Sequence, residues 1–158
     1  LPLVGEWLVQ EHVRRWWRDP VEQHLAEYRD AIEGRDPTDL YLILLDSRPI
    51  GMIQTYLAAD HADWDAIVQA GEGVAGVDLL IGEEELVGRG LGAAILEAFV
   101  REIVFARPST HACIASVEEP NRRSWRAFEK AGFRHVRDVD EHGVPHRLMR
   151  LERAPRGA

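Results

Sequence analysis

Val87-Gly88-Arg89-Gly90-Leu91-Gly92-Ala93 reads as a glycine loop set between a strand and a helix. The apolar run Gly76-Val77-Asp78-Leu79-Leu80-Ile81 comes before it. After it, Leu91, Ala94, Ile95, Ala98, Phe99 and Ile103 recur at helical spacing. Glycines let a backbone approach a ligand closely and turn several N–H groups the same way. The helix that follows offers unpaired N–H donors and a partial positive charge at its first turn. A phosphate or pyrophosphate suits such a place. A tight turn without a ligand fits the loop by itself equally well, because glycine-rich turns often precede helices.

Working outward, residues 74–81 form a strand whose nearly continuous apolar character predicts burial on both faces. Asp78 interrupts it, and a carboxylate in a buried strand needs a reason to be there. Residues 58–73 carry Asp60, Asp63, Asp65 and Glu72 around Trp64. They read either as a solvated loop with a short helix or as a lid whose carboxylates meet ammonium groups and whose indole stacks on a cation or sugar ring. Residues 40–45 and 50–57 form a hairpin around the turn Asp46-Ser47-Arg48-Pro49. Gln54 and Tyr56 are two apart, so they share one face of the return strand, either in solvent or lining a polar site.

Further toward the N-terminus, Leu3, Val4, Trp7 and Leu8 start a helical pattern that continues loosely to Trp16-Trp17. Asp19-Pro20 ends it, and Val21, Leu25, Tyr28 and Ile32 space a second helix that stops near Gly34. Trp16 and Trp17 are adjacent, so they point to different sides of a helix, one to a core and the other to a cleft. Beyond the glycine loop, Pro108-Ser109 marks a break and residues 110–117 a strand. Asn121 begins a helix to Lys130, and Gly132 ends it. A last hairpin turns at Asp140-Glu141-His142-Gly143, and Pro155-Arg156-Gly157-Ala158 is expected to fray. Helices and strands alternate, so the class is α/β.

The bulk numbers narrow the partners. A chain of 158 residues fits one domain, 1–158, that needs no staples, and its single cysteine, Cys113, excludes an internal disulfide. Cys113 sits in an apolar strand and reads as a small buried residue. A formal charge of −8 argues against nucleic acid and anionic membranes and suits a cationic partner, although many acidic chains are acidic only for solubility. No apolar run approaches the roughly 20 residues of a membrane span. The expected setting is cytoplasmic, as a monomer or homodimer. No Cys/His cluster has metal spacing, and His135, His142 and His146 read as surface residues.

A second stretch narrows the function. Asn121-Arg122-Arg123-Ser124-Trp125-Arg126-Ala127-Phe128-Glu129-Lys130-Ala131-Gly132-Phe133 follows the glycine loop one strand later. The two motifs in this order resemble the general N-acetyltransferase (GNAT) superfamily. Glu6-Trp7-Leu8, Arg15-Trp16-Trp17, Pro49-Ile50-Gly51 with Gln54 and Tyr56, and Gly76-Val77-Asp78 extend the resemblance over nearly the whole chain, to the aminoglycoside 6'-N-acetyltransferases. The resemblance implies the GNAT fold: a mixed central sheet flanked by helices, with a V-shaped opening between the two central strands. That fold usually opens with a strand. None precedes the first helix here and the chain starts at Leu1 without methionine, so an upstream segment is expected to be missing.

The resemblance also implies roles. Acetyl-CoA is the cosubstrate, with its pyrophosphate on the amides of Val87, Gly88, Arg89, Gly90, Gly92 and Ala93. Relatives often have Gln or Arg where this chain has Val87. The backbone at Leu80 and Gly82 would pair with the pantetheine arm, and Asn121, Ser124 and Phe128 would flank it, Asn121 serving equally as a helix cap. The cationic amine acceptor would meet Trp17, Gln54, Tyr56, Trp64, Asp78 and Glu118. Asp78 is the candidate base, or else it orients the amine. Many relatives carry a second acid where this chain has Ser116, and Glu118 is the candidate to replace it. A tyrosine often protonates the thiolate at the position of Phe128, which cannot donate. These implications favour 6'-acetylation of an aminoglycoside, conferring antibiotic resistance. An N-acyltransferase acting on a hydroxylysine-type siderophore precursor is the second reading, although that branch tends to have histidine at the position of Asp78. A non-catalytic acyl-CoA-binding sensor is the third, suggested by Val87, Ser116 and Phe128.

Overall fold

The structure, a computed structural model, describes residues 1–154, so the expected fraying of 155–158 lies outside the described residues. The elements are α1 (Pro2–Leu8), α2 (Glu11–Arg14), α3 (Val21–Ile32), β1 (Thr38–Leu45), β2 (Arg48–Leu57), α4 (Ala62–Val68), β3 (Val74–Ile81), α5 (Leu91–Glu102), β4 (Ala112–Glu118), α6 (Arg122–Lys130), β5 (Arg134–Glu141) and β6 (Val144–Glu152). They make a six-stranded mixed sheet in the order β1-β2-β3-β4-β6-β5, with helices flanking it, as the GNAT expectation requires. The chain divides into two compact units, residues 1–56 with 78–89, and 57–77 with residue 90 onward.

In the first unit, β1 and β2 form the expected antiparallel hairpin. Asp46 and Ser47 make its turn in the left-handed region, φ 50° and 67°, matching the twist of a two-residue hairpin. Val4, Trp7, Leu8, Val13 and Tyr28 from α1–α3 bury against Met52 and Leu80 of the strands. The single loose helix expected up to Trp17 is instead two short ones. Gln10 is extended (ψ 138°), which restarts the chain and turns Val13 into the core. No proline or glycine announces that break.

In the second unit, β3 pairs with β4 in parallel, and the register ends at Gly76↔Ile114 after three rungs. The antiparallel pairs β4–β6 and β5–β6 complete it. On α5 the buried positions are Leu96, Phe99 and Val100. That corrects the sequence reading, which put Ala94 on the apolar face; Ala94 is exposed. The helix is apolar nearly all round, so spacing alone does not choose a face. The larger Leu96 and Val100 gain more from burial than alanine does. Strand β4 begins two residues later than expected, because the Thr110 amide closes a turn on the Arg107 carbonyl.

Candidate functional site

Asp78 is the centre of the polar chemistry in the first unit. It lies on the last turn-ward half of β3 and is half-buried. Gln54 and Tyr56 both reach it from the neighbouring face of β2. Gln54 Nε2 donates to Asp78 Oδ2 at 3.0 Å and Tyr56 Oη donates to the same oxygen at 2.8 Å. The two-residue spacing on β2 is what lets both donors converge. Two donors on one oxygen fix the carboxylate's orientation. A fixed, partly desolvated carboxylate can hold an ammonium group and accept its proton.

Tyr28, on α3, is a residue that sequence reasoning assigned only to the helix core. It is 3% exposed, and its hydroxyl meets no hydrogen-bond partner among the described residues. Burial, and then the negative charges of Asp78 and Glu27, raise its pKa well above the usual tyrosine value. The hydroxyl therefore stays a neutral donor. His24, one helical turn earlier, stacks on Tyr28 at 6.1 Å, and Trp17 meets His24 edge-on at 5.7 Å. Trp17 is half-buried against the core cluster that contains Tyr28. The only sequence signal for His24 was a polar residue at a core-facing helix position.

The end of β3 is more occupied than expected. The Gly82 amide donates to the Ile50 carbonyl at 2.7 Å, and a Cβ at Gly82 would overlap the Trp7 indole. His12 Nε2 donates to the Ile81 carbonyl at 2.9 Å. The Gly82 amide is thus committed to the sheet, which removes that one donor from the backbone at Leu80 and Gly82 expected to pair with pantetheine. Leu80 is a core residue whose carbonyl faces Gly51. Within the glycine loop, the Val87 amide is also spent, on Glu84 at 3.1 Å. The remaining loop keeps the expected form. Gly88 and Gly90 have φ 81° and 77°, a conformation that favours glycine, and Gly90 caps α5. The first-turn amides of Leu91, Gly92 and Ala93 have no intrahelical acceptor. Arg89 is exposed beside them in the chain. This loop therefore fits a diphosphate, with Val87 removed from the donor set. Gly92 would meet Ala127 at an ordinary 3.5 Å if it carried a Cβ, so space does not demand glycine there.

In the second unit, Asn121 precedes α6 without a side-chain capping bond, so the expected cap is a backbone position only. Its carbonyl accepts the amides of Ser124 and Trp125. Phe128 is buried and meets Phe133 edge-on at 5.0 Å, which makes it a packing residue. The segment around Trp64 is not a free lid. Trp64 and Ile67 pack against buried Val68, Val74 and Ile114. Asp65 Oδ1 accepts the amides of Ala70 and Gly71, both at 3.1 Å, closing α4 behind left-handed Gln69. Asp65 is therefore committed to that turn.

Ser116 and Glu118 share a face of β4, and both are half-buried. The Ser116 hydroxyl donates to the Glu141 carboxylate at the end of β5. His146 of β6 lies opposite Glu118 in register, and its Nε2 is 3.9 Å from Glu141 Oε2. Its side chain is 15% exposed, which corrects the reading of His146 as a surface residue. Glu141 was missed because it sits in a charged turn, Asp140-Glu141-His142-Gly143, that looks solvated. Among the described residues no helix is long and apolar enough to cross a membrane.

The family model described as an acetyltransferase (GNAT) domain matches residues 1–141. The aminoglycoside N(6')-acetyltransferase type 1 of Klebsiella pneumoniae is 29% identical over 140 residues, covering 84% of this chain and 68% of that protein. The N(6)-hydroxylysine O-acetyltransferase of Escherichia coli is 26% identical, covering 92% of this chain and 48% of that protein. The crystal structure of aminoglycoside acetyltransferase AAC(6')-Ib with coenzyme A and kanamycin superposes with a TM-score of 0.86. It is 29% identical, with 97% of this chain and 89% of that chain covered.

Proposed function

Because the chain belongs to the GNAT acetyltransferase family, we propose that it transfers an acetyl group from acetyl-CoA to an amine of an aminoglycoside, at the 6' position, and so confers resistance. The observation that carries this reading is the Asp78 carboxylate gripped by Gln54 and Tyr56. The relatives named for 6'-acetylation support the acceptor class, and a net charge of −8 suits a polycationic substrate.

When bound, acetyl-CoA supplies the acetyl thioester. Gly88, Gly90 and the first turn of α5 would hold its diphosphate, with Arg89 adding charge. Asp78 holds the acceptor ammonium, takes one proton from it and leaves a neutral amine. The amine nitrogen then bonds to the acetyl carbon as the carbon–sulfur bond breaks, and the sulfur leaves as thiolate. Gln54 and Tyr56 keep Asp78 aimed throughout. Phe128 has no proton to give, so water, Ser124 or the amine's own proton serves the thiolate.

The test is release of free thiol from acetyl-CoA with a panel of amines. Kanamycin- and tobramycin-type aminoglycosides, a polyamine, lysine and a hydroxylysine make the panel. Turnover confined to compounds with a 6'-amino group is expected. The match to a hydroxylysine O-acetyltransferase keeps a second reading, acylation of a hydroxylysine-type siderophore precursor. Turnover on lysine-type compounds alone would select it.

A further inference from the structure

The peptide unit that joins Ile81 to Gly82 is held at both ends. Its N–H donates to the Ile50 carbonyl of β2 at 2.7 Å. The unit is trans, so its C=O points the opposite way, out of the edge of β3 that faces away from β2. There His12 Nε2 meets the Ile81 carbonyl at 2.9 Å. A carbonyl only accepts, so Nε2 carries a hydrogen whether the ring is charged or neutral. Trp7 closes a third side, since a Cβ on Gly82 would overlap its indole. Extended Gln10 restarts the chain and begins α2, which carries His12 next to the buried Val13. All of these residues belong to the first unit.

Backbone groups alternate between the two edges of a strand. The Leu80 carbonyl lies against Gly51 of β2, so Leu79 and Ile81 turn theirs to the other edge. The register with β4 ends at Gly76, short of both. An extended ligand with amide groups adds to such an edge as a strand would. The arm of acetyl-CoA is a chain of that kind. A carbonyl oxygen has two lone pairs, so Ile81 can accept from His12 and from the arm at once.

We propose that His12 is a positioning residue for acetyl-CoA, which fixes the Ile81–Gly82 peptide plane and with it the outward edge of β3. The inference rests on the arm lying along that edge. His12 acts through Ile81 and takes no part in proton transfer. Its contribution is preorganisation, because a loose peptide unit has to be ordered when the cosubstrate binds.

His12→Phe keeps a ring and loses the donor. His12→Gln keeps an N–H at nearly the reach of Nε2. Coenzyme A binding is measured by calorimetry, beside the melting temperature and the KM for the acceptor. His12→Phe should bind coenzyme A about three- to tenfold more weakly, the worth of one neutral hydrogen bond, with the acceptor KM unchanged. His12→Gln should recover most of that affinity. A merely structural role would lower the melting temperature and leave the coenzyme A affinity of the folded protein as it was. Should His12→Phe fail to fold, His12→Asn, whose amide falls short of the carbonyl, takes its place. Wild-type affinity in the donor-less variant, or no recovery in His12→Gln, would overturn the role. Failure of the wild type to bind coenzyme A would overturn the placing of the arm instead. Amide hydrogen exchange in the unliganded protein then decides on His12 alone. The Gly82 amide should exchange faster in His12→Phe while the amides of α5 keep their rates, and an unchanged Gly82 rate would overturn the proposal.

Discussion

Asp78 and Glu141 are both held by neutral side-chain donors, and they differ in where the donors come from. Asp78 is gripped by two side chains of a single strand, Gln54 and Tyr56, two residues apart. Glu141 is gripped by one, Ser116, which comes from a different strand, with His146 of a third beside it. The first arrangement is built into the period-2 geometry of one strand. The second depends on the pairing of β4 with β6 and β5 with β6. Doubly gripped and half-buried, Asp78 is suited to the chemical step.

The largest effect is expected at Asp78 itself. Asp78→Asn keeps a similar shape but cannot take a proton. Turnover in the thiol-release assay should fall about 10²–10⁴-fold, the usual contribution of a positioned base, with the KM for acetyl-CoA unchanged. Unaltered turnover would remove Asp78 from the mechanism and leave the two carboxylates equivalent.

Next is the scaffold under Asp78. A Cβ at Gly51 would overlap the Leu80 carbonyl, a backbone atom that cannot swing away, two residues beyond Asp78. Gly51→Ala should therefore cost about 1–3 kcal/mol of stability, the usual range for overpacking. Gly92→Ala meets only an ordinary contact, so its unfolding free energy should stay within about 0.5 kcal/mol of wild type. Equal losses in the two variants would show that glycine identity is not read by close contact here.

A smaller effect is expected at the grip. Tyr56→Phe removes one of the two donors to Asp78 and leaves the Gln54 donor in place. A hydrogen bond to a charged group is worth roughly 1.5–3 kcal/mol, and the remaining donor offsets part of that. A fall of about tenfold in kcat with little change in melting temperature is the expected outcome. A variant as active as wild type would show that one donor suffices to aim the carboxylate.

These residues were not equally legible in the sequence. Asp78 stood out because a carboxylate interrupted an apolar strand; spacing put Gln54 and Tyr56 on one face, and the family resemblance made that face a polar site. Gly88 and Gly90 were legible because left-handed backbone favours glycine. Three things were hidden. The Val87 and Gly82 amides looked available, but hydrogen bonds to Glu84 and Ile50 are a matter of turn and sheet pairing, which residue type does not reveal. Trp64 and Asp65 read equally as part of a solvated loop with a short helix or of an acidic lid, and the structure gives the short helix, with one packed against a core and the other closing the helix end. Glu141 was invisible because its partner Ser116 is 25 residues away and the pairing that joins them is tertiary. Local signals foretold backbone conformation and strand faces. They did not foretell which polar group meets which across strands.

The smallest effect concerns Tyr28, whose buried hydroxyl has no hydrogen-bond partner among the described residues and lies in the field of Asp78. Burial raises its pKa in the folded protein above the ordinary value of about 10. The unfolded chain therefore loses this proton first as pH rises. Stability tied to the protonated phenol is complete below about pH 10 and declines as pH climbs toward the folded pKa. Tyr28→Phe removes both the unpaired hydroxyl and this linkage. At pH 7 the variant should be as stable as wild type or slightly more so, since an unsatisfied buried group costs about 1–3 kcal/mol. At pH 10.5, roughly half a unit above the unfolded value, its advantage in urea midpoint should widen. A variant less stable than wild type at pH 7 would mean that the hydroxyl has found a partner, and Tyr28 would then belong with Gln54 and Tyr56 among the groups that hold Asp78.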